Sequence, residues 1–282
     1  MGASLARAAE TVTLVVRPGT LTAHPPKLQL DSTFGSWAAN VAWAASVPPA
    51  DVLWVAVKAT QLEAALRSIT SAESIGAVVP LLNGIDHLEP LRSKFGADRV
   101  IPATIAGETE RVSVGHIIHR SPFAVLNISA RGRGLLGPVS DQLRGIGLTC
   151  NFVEDETTLM WSKLAFLGPF ALATSAFAKP IGDVVADAER WRRLEGSVRE
   201  TCAAGQAEGA KVEAENVLKA IRNAPPGMRS SMQKDVDQGR PPELDAIGGA
   251  IVRASKRHGL KAPITEELIA LIEQRRVAST VS

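Results

Sequence analysis

The sequence predicts a doubly wound α/β domain followed by an all-helical domain. Three observations carry that prediction. Continuous apolar runs recur through the first half, as parallel strands covered on both faces require. Helical stripes lie between them, so strand and helix alternate. After about residue 153 the strand-like runs stop and helical segments continue to the end, which sets domains of 1–153 and 154–282.

The opening residues Gly2 to Ala9 are rich in Ala, Leu and Arg and read as the back half of a helix. They lead into a β-branched run, Val12 to Val16, closed by Arg17, Pro18 and Gly19. In an α/β domain this order is the second half of a βαβ unit, so a strand and a turn are expected before it. Further strands are expected in "VLWVAV" (52–57), "GAVVPLL" (76–82) and "RVIPATI" (99–105). Between the first two of these, "QLEAALRSI" places Leu62, Ala65, Leu66 and Ile69 on one helical stripe, and "HLEPLRSKF" offers a shorter helix later. From Val112 to Val153, "GHIIHR", "FAVLNIS" and "LTCNFV" alternate with glycines and a short helix, the texture of a mixed or antiparallel edge. "EDETTL" then suits a helix start, and "MWSKLAFLGPFALATSAF" opens the helical half.

With 45% apolar residues and a net charge of +2 in 282 residues, the composition is that of an ordinary globular protein. The 31 basic and 29 acidic residues form no block of one sign, which argues against a nucleic-acid partner and for a small molecule. Cys150 and Cys202 are too few for a disulfide framework or a zinc site, so buried thiols in the cytoplasm are expected and no metal is. No apolar run approaches the roughly 18 residues of a membrane helix, and the opening lacks the basic start and apolar core of a signal peptide.

Ligands of a doubly wound sheet bind beyond the carboxyl ends of its strands, so residues just after the strand runs are the first candidates. Arg17 ends "VTLVV", where an acidic residue would bind the ribose of NAD and a basic one the 2′-phosphate of NADP. A surface arginine in a turn would look the same. Lys58 ends "VLWVAVK", and Asn83 with Gly84 ends "AVVPLLNG"; one such residue is commonly a solvated terminus, but two on successive strands are less easily dismissed. Lys163 sits among apolar neighbours in "LMWSKLAFLG", where a buried ammonium shifts its pKa readily and can donate a proton, although a lysine whose stem snorkels to water is the commoner case. Glu243 follows two prolines and reads first as an acid in the first turn of its own helix, and Ser230 with Ser231 as a cap or first-turn pair.

Taken together, "VAVKATQ", "PLLNGID", "MWSKLAF", "SSMQKDVDQGRPPELDAIGG" and "RHGLKAPITEEL" stand in the order and approximate spacing of the ketopantoate reductases. The sequence resembles that family from Met1 to about Arg276, most specifically from Ser230 to Gly249. The resemblance implies NADPH-dependent reduction of a 2-oxo acid to a 2-hydroxy acid. It implies an N-terminal Rossmann domain and a helical domain like that of 6-phosphogluconate dehydrogenases, a candidate for homodimer formation. Lys163 would be the proton donor, and Glu243 would contact the cofactor and help orient that lysine. Asn83 would hold the cofactor and orient the substrate, Lys58 would line the cofactor site, Ser231 would bind the substrate carboxylate, and Arg17 would take the 2′-phosphate.

The sequence departs from the family in two places. Four and eight residues after the proton donor the family typically places Asn, on one helical face; here these positions are Leu167 and Ala171. A wall without those polar partners predicts that ketopantoate is a poor substrate and a less hydroxylated 2-oxo acid a better one. The family's first strand and its G-x-G-x-x-G turn should also precede the opening helix, and such a glycine pattern is expected nowhere in this chain, which predicts a weakened hold on NADPH. Three readings follow: an enzyme of this family whose start lies upstream, a truncated relative serving as a binding or structural scaffold, and a dehydrogenase of the 6-phosphogluconate or opine type.

Overall fold

The computed structural model describes residues 1–8 and 10–281; Ala9, the last residue of the expected opening helix, lies outside them. The chain divides into two compact units, 1–56 with 63–81 and 90–154, and 57–62 with 82–89 and 155–282.

The first unit opens with helix α1 (Gly2–Arg7) and strand β1 (Thr13–Val15), as the sequence predicts. Three strands follow that sequence reading passes over: β2 (Lys27–Ser32), β3 (Gly35–Asn40) and β4 (Ala42–Ala44). They are short and little buried. Only Leu28 and Leu30 of β2 and Ala39 of β3 are buried, the period of two expected of strands with one covered face. Strands β5 (Ala50–Val55) and β6 (Ile75–Pro80) flank helix α2 (Leu62–Ser68), and α3 (Leu88–Phe95) follows. Ile75, Ala77, Val78 and Val79 are all buried, which is why β6 reads as one continuous apolar run.

The expected strand at 99–105 is shorter in the structure. The Ile101 N–H reaches the Val78 carbonyl, Pro102 has no N–H to give, and regular pairing begins only at β7 (Ala103–Ala106). Strands β8 (Thr109–Ser113) and β9 (His116–His119) form an antiparallel pair. Strand β10 (Val125–Ser129), helix α4 (Arg133–Gly145) and strand β11 (Thr149–Val153) then form a parallel β-α-β unit.

The strands fall into four groups: parallel pairs β1–β4 and β5–β6, the mixed triplet β11-β10-β7, and the four-stranded β3-β2-β9-β8. Among the described residues no strand hydrogen-bonds to both β1 and β5. The main core of this unit gathers Leu126, Ile128, Leu136 and Leu143, each at most 1% exposed, with buried residues of β6 and β7.

The second unit is built around α5 (Glu156–Phe177), whose start is fixed by Asp155: its carboxylate accepts from the Thr158 N–H at 3.1 Å and the Thr158 hydroxyl at 2.7 Å. This helix is apolar almost all round, as befits one enclosed by neighbours. It packs against α6 (Ile181–Ala186), α7 (Ala188–Ala207), α8 (Ala214–Arg222), α9 (Ser231–Asp237) and the last helix, α11 (Pro263–Val281). Between α9 and α11, a single π-helical turn (Asp245–Gly249) leads into α10 (Ala250–Arg257). Among the described residues no helix is long and apolar enough to cross a membrane.

Candidate functional site

The segments Val57–Leu62 and Leu82–Glu89, which follow β5 and β6 in the chain, belong to the second unit. They bring Lys58 and Asn83 into the same unit as Lys163, Ser231 and Glu243. Glu243 is 7% exposed and each oxygen of its carboxylate is engaged: Oε1 accepts the Ala59 N–H at 2.8 Å, and Oε2 accepts from Asn83 Nδ2 at 2.9 Å. The expectation that this acid serves the first turn of its own helix is thereby corrected. It caps the helical turn Ala59–Gln61 instead, where the amide dipole favours a carboxylate, and precedes its own helix at Leu244.

The loop that carries Asn83 is held in place at two points. Gly84 has φ +79°, and a Cβ there would lie 2.1 Å from the Ala246 carbonyl oxygen, so the chain passes the π-helical turn with no room for a side chain. Two residues on, Asp86 accepts from Arg253 at 2.7 Å, and Arg253 also donates to Asp245 at 2.6 Å. Such π-helical turns recur at functional sites because they reset the helix face that a side chain occupies.

Lys163 stands at the start of the third turn of α5 and is partly buried. Burial lowers its pKa from 10.5 to about 8, against the opposing pull of the Glu243 charge. Among the described residues no group accepts a hydrogen bond from its ammonium, which makes it a protonated donor with an unused hydrogen-bonding capacity. Glu243 is close enough to act on it electrostatically while its own oxygens bind elsewhere.

Lys58 is placed by a residue that sequence reasoning quoted but did not single out. Asp235, 4% exposed, accepts from Lys58 Nζ at 2.7 Å on one oxygen and from Arg240 Nε at 2.8 Å on the other. Ser230, not Ser231, is the cap of α9: its hydroxyl oxygen accepts the Gln233 N–H at 3.0 Å and pairs with the Thr174 hydroxyl at 2.9 Å. Ser231 is exposed as the first residue of that helix. Gln233 is fully buried, with neither amide atom hydrogen-bonded. Leu167 packs against the apolar core of the helical unit and Ala171 is wholly buried in it.

His87 is the other residue that sequence reading missed. It stands four positions after Asn83, 5% exposed, and both ring nitrogens are without a hydrogen-bond partner. Burial first, and then the Lys163 charge, lowers its pKa from 6.5 to about 4, against the opposing polar interaction with the Asn83 backbone. The imidazole is therefore neutral at pH 7. Its only sequence signal is a histidine in "NGIDH", just beyond a strand end.

In the first unit, Arg17 is exposed beyond the carboxyl end of β1 and starts a short 3₁₀ helix (Pro18–Ala23), its carbonyl taking the Thr20 hydroxyl at 2.9 Å. That position leaves its guanidinium available to a phosphate. Contrary to the expectation from sequence, a G-x-G-x-x-G spacing does occur, running from the end of the β10–α4 connection into α4, at Gly132, Gly134 and Gly137. In a dinucleotide fingerprint the third glycine lets the helix pack closely on its strand. A Cβ on Gly137 would meet nothing within 4 Å, whereas Gly132, at the first position, is the crowded one, 2.8 Å from Ile101 Cγ2. Arg133 at the helix start is paired with Glu154 at 3.4 Å. The spacing matches the fingerprint, but the packing that gives the fingerprint its purpose is missing.

Comparison with known proteins bears on this arrangement. The sequence matches the family description "Ketopantoate reductase PanE/ApbA" over residues 1–131 and "Ketopantoate reductase PanE/ApbA C terminal" over residues 156–276. It is 33% identical over 238 residues to a 2-dehydropantoate 2-reductase of Mycobacterium tuberculosis, covering 79% of this chain and 76% of that one. Among solved structures, a PanE/ApbA family ketopantoate reductase from Ralstonia eutropha superposes with a TM-score of 0.86 at 24% identity, over 99% of this chain and 95% of that one. A D-mandelate dehydrogenase solved with NADH and anilino(oxo)acetate also has a TM-score of 0.86, at 18% identity, over 98% and 94%. At those identities the two structures speak to the fold.

Proposed function

Because the chain belongs to the ketopantoate reductase family, we propose that it reduces a 2-oxo acid to the 2-hydroxy acid with NADPH. The observation that carries this reading is the Lys163 ammonium, partly buried, unpaired and beside a carboxylate committed to other donors. NADPH supplies the hydride that reaches the C2 carbonyl carbon. Charge then develops on the carbonyl oxygen, and a positioned cation stabilises that charge more than it does the neutral ketone. Lys163 gives this oxygen its proton and recovers one from water, so that one hydride and one proton are consumed per turnover. Glu243 keeps the lysine charged and fixes the Asn83 amide, which orients the substrate. Ser231 takes the substrate carboxylate, Lys58 lines the cofactor site, and Arg17 binds the 2′-phosphate that distinguishes NADPH from NADH.

The apolar Leu167, which is only partly buried, supports a substrate less hydroxylated than ketopantoate, whereas Ala171 lies wholly within the core and forms no part of that wall. The test follows NADPH oxidation with ketopantoate and with unhydroxylated 2-oxo acids of similar size. The expected result is turnover of 2-oxo acids, with a catalytic efficiency at least about tenfold higher for the unhydroxylated compounds. Equal efficiencies would remove the specificity claim. No turnover of any 2-oxo acid, by a protein that binds NADPH, would remove the reaction.

A further inference from the structure

The end of α9 holds two cations on one buried carboxylate. Gly239, with φ +65°, adopts the left-handed turn that glycine takes freely, and it folds the chain back so that the Arg240 N–H reaches the Asp235 carbonyl at 2.8 Å. The Arg240 side chain returns to the same residue, Nε donating to Asp235 Oδ1 at 2.8 Å, and Pro241 and Pro242 stiffen the chain that follows. Lys58 Nζ donates to the other oxygen, Oδ2, at 2.7 Å. Asp235 is nearly closed to solvent, whereas the side chains of Lys58 and Arg240 are 40% and 52% exposed. The carboxylate is therefore the buried base of the cluster, and the two cations are its solvent side.

Two cations on one carboxylate leave a surplus positive charge. Asp237, the other acid of α9, does not offset it, because it is paired with Arg229 and, at 3.1 Å, with Arg275. Asp235 takes the Nε–H of the guanidinium, so the N–H groups on its two terminal nitrogens, and the remaining ones of the Lys58 ammonium, meet no acceptor among the described residues. Terminal guanidinium nitrogens fit two oxygens of a phosphate, and a lysine beside them adds a point charge. We propose that Arg240 and Lys58 together form a phosphate-binding site, held in place by Asp235, that takes the pyrophosphate of the nicotinamide dinucleotide. This rests on the reading above in which Lys58 lines the cofactor site, and it adds Arg240 to that site. A pyrophosphate, with a negative charge on each phosphate, matches two separate cations better than a single substrate carboxylate does. It is also common to NADPH and NADH, so this site should bind both alike, unlike one that reads the 2′-phosphate.

The test measures NADPH and NADH binding to wild type, Arg240→Gln and Arg240→Lys by calorimetric titration. Arg240→Gln should weaken both dinucleotides by the same factor, at least about tenfold. Arg240→Lys keeps the charge but cannot hold Asp235 and a pair of phosphate oxygens at once, so a loss of at least about threefold is expected. Inorganic pyrophosphate should raise the melting temperature of wild type and leave that of Arg240→Gln unmoved. A dinucleotide Kd within about twofold of wild type in either variant overturns the proposal, and Arg240→Lys carries this measurement if Arg240→Gln does not fold. A loss confined to NADPH also overturns it, since that would place Arg240 at the 2′-phosphate, as does a change confined to the KM of the 2-oxo acid, which would make the pair a carboxylate site. A wild-type protein that binds both dinucleotides yet reduces no 2-oxo acid removes the reaction and leaves this site standing. Absence of dinucleotide binding by the wild type removes both.

Discussion

The Asn83 amide donates to Glu243 Oε2 at 2.9 Å while Glu243 Oε1 takes the Ala59 N–H at 2.8 Å, so one carboxylate joins residues 160 and 184 positions away along the chain. Glutamine in place of Glu243 offers one acceptor where two donors converge and leaves one N–H facing another. The Glu243→Gln protein should lose roughly 10- to 1000-fold in kcat. Its alkaline pH limb should also move to lower pH, because the Glu243 charge is what raises the Lys163 pKa. Steady-state kinetics across pH check both; a normal kcat with an unmoved limb would contradict the assignment.

Lys163, with its pKa held at about 8 by burial, must be protonated to donate. In the wild type kcat/KM should therefore be level below that pH and fall above it. Lys163→Met should lose at least about 100-fold and show no such limb. The stability effect runs the other way. Between about 8 and 10.5 the unfolded chain binds more protons at this site than the folded one, so folded stability rises with pH across that window and the buried charge is a full cost below it. The methionine variant should consequently be more stable at pH 7, by about 1–3 kcal/mol, as denaturant titration would show.

Asp235 anchors two cations from a site that is itself nearly closed to solvent. Asp235→Asn keeps the shape and removes the charge, leaving Lys58 and Arg240 without their partner. The expected loss is about 1–3 kcal/mol of stability, together with a raised KM for NADPH and little change in kcat. Chemical denaturation and cofactor kinetics on the same preparation separate the two effects.

Gly84→Ala should be among the most damaging small changes in the helical unit. Its φ of +79° and the 2.1 Å approach of a Cβ to the Ala246 oxygen leave the loop no way to accept a methyl group without moving. A loss of at least about 2 kcal/mol is expected, with activity falling alongside because Asn83 moves with the loop. Alanine at Gly134, where a Cβ meets open space, is the matched control and should be silent or slightly stabilising.

Arg17→Ala should act on cofactor choice alone. Loss of a charge-assisted contact to the 2′-phosphate predicts that NADPH affinity falls at least about tenfold while NADH affinity stays the same. Equal losses for the two cofactors would place Arg17 elsewhere in recognition.

By itself the sequence determined the order of layers and the chemistry available. Continuous apolar runs such as β6 and the all-round apolar α5 can exist only in covered positions, so their periodicity reports burial directly. Lys163 was legible for the same reason, as a cation in an apolar helix, and Arg17 as a basic residue at a strand end. The short strands β2 to β4 were not, because few of their residues face a core and the alternation is too brief to stand out. Only the tertiary structure decided which groups are spoken for and which are free. Asp235 and Ser230 are consumed in holding Lys58 and α9, while among the described residues no group accepts a hydrogen bond from the Lys163 ammonium. Residue type fixes what a side chain can donate or accept; its partners lie more than a hundred positions away, and folding alone brings them within reach.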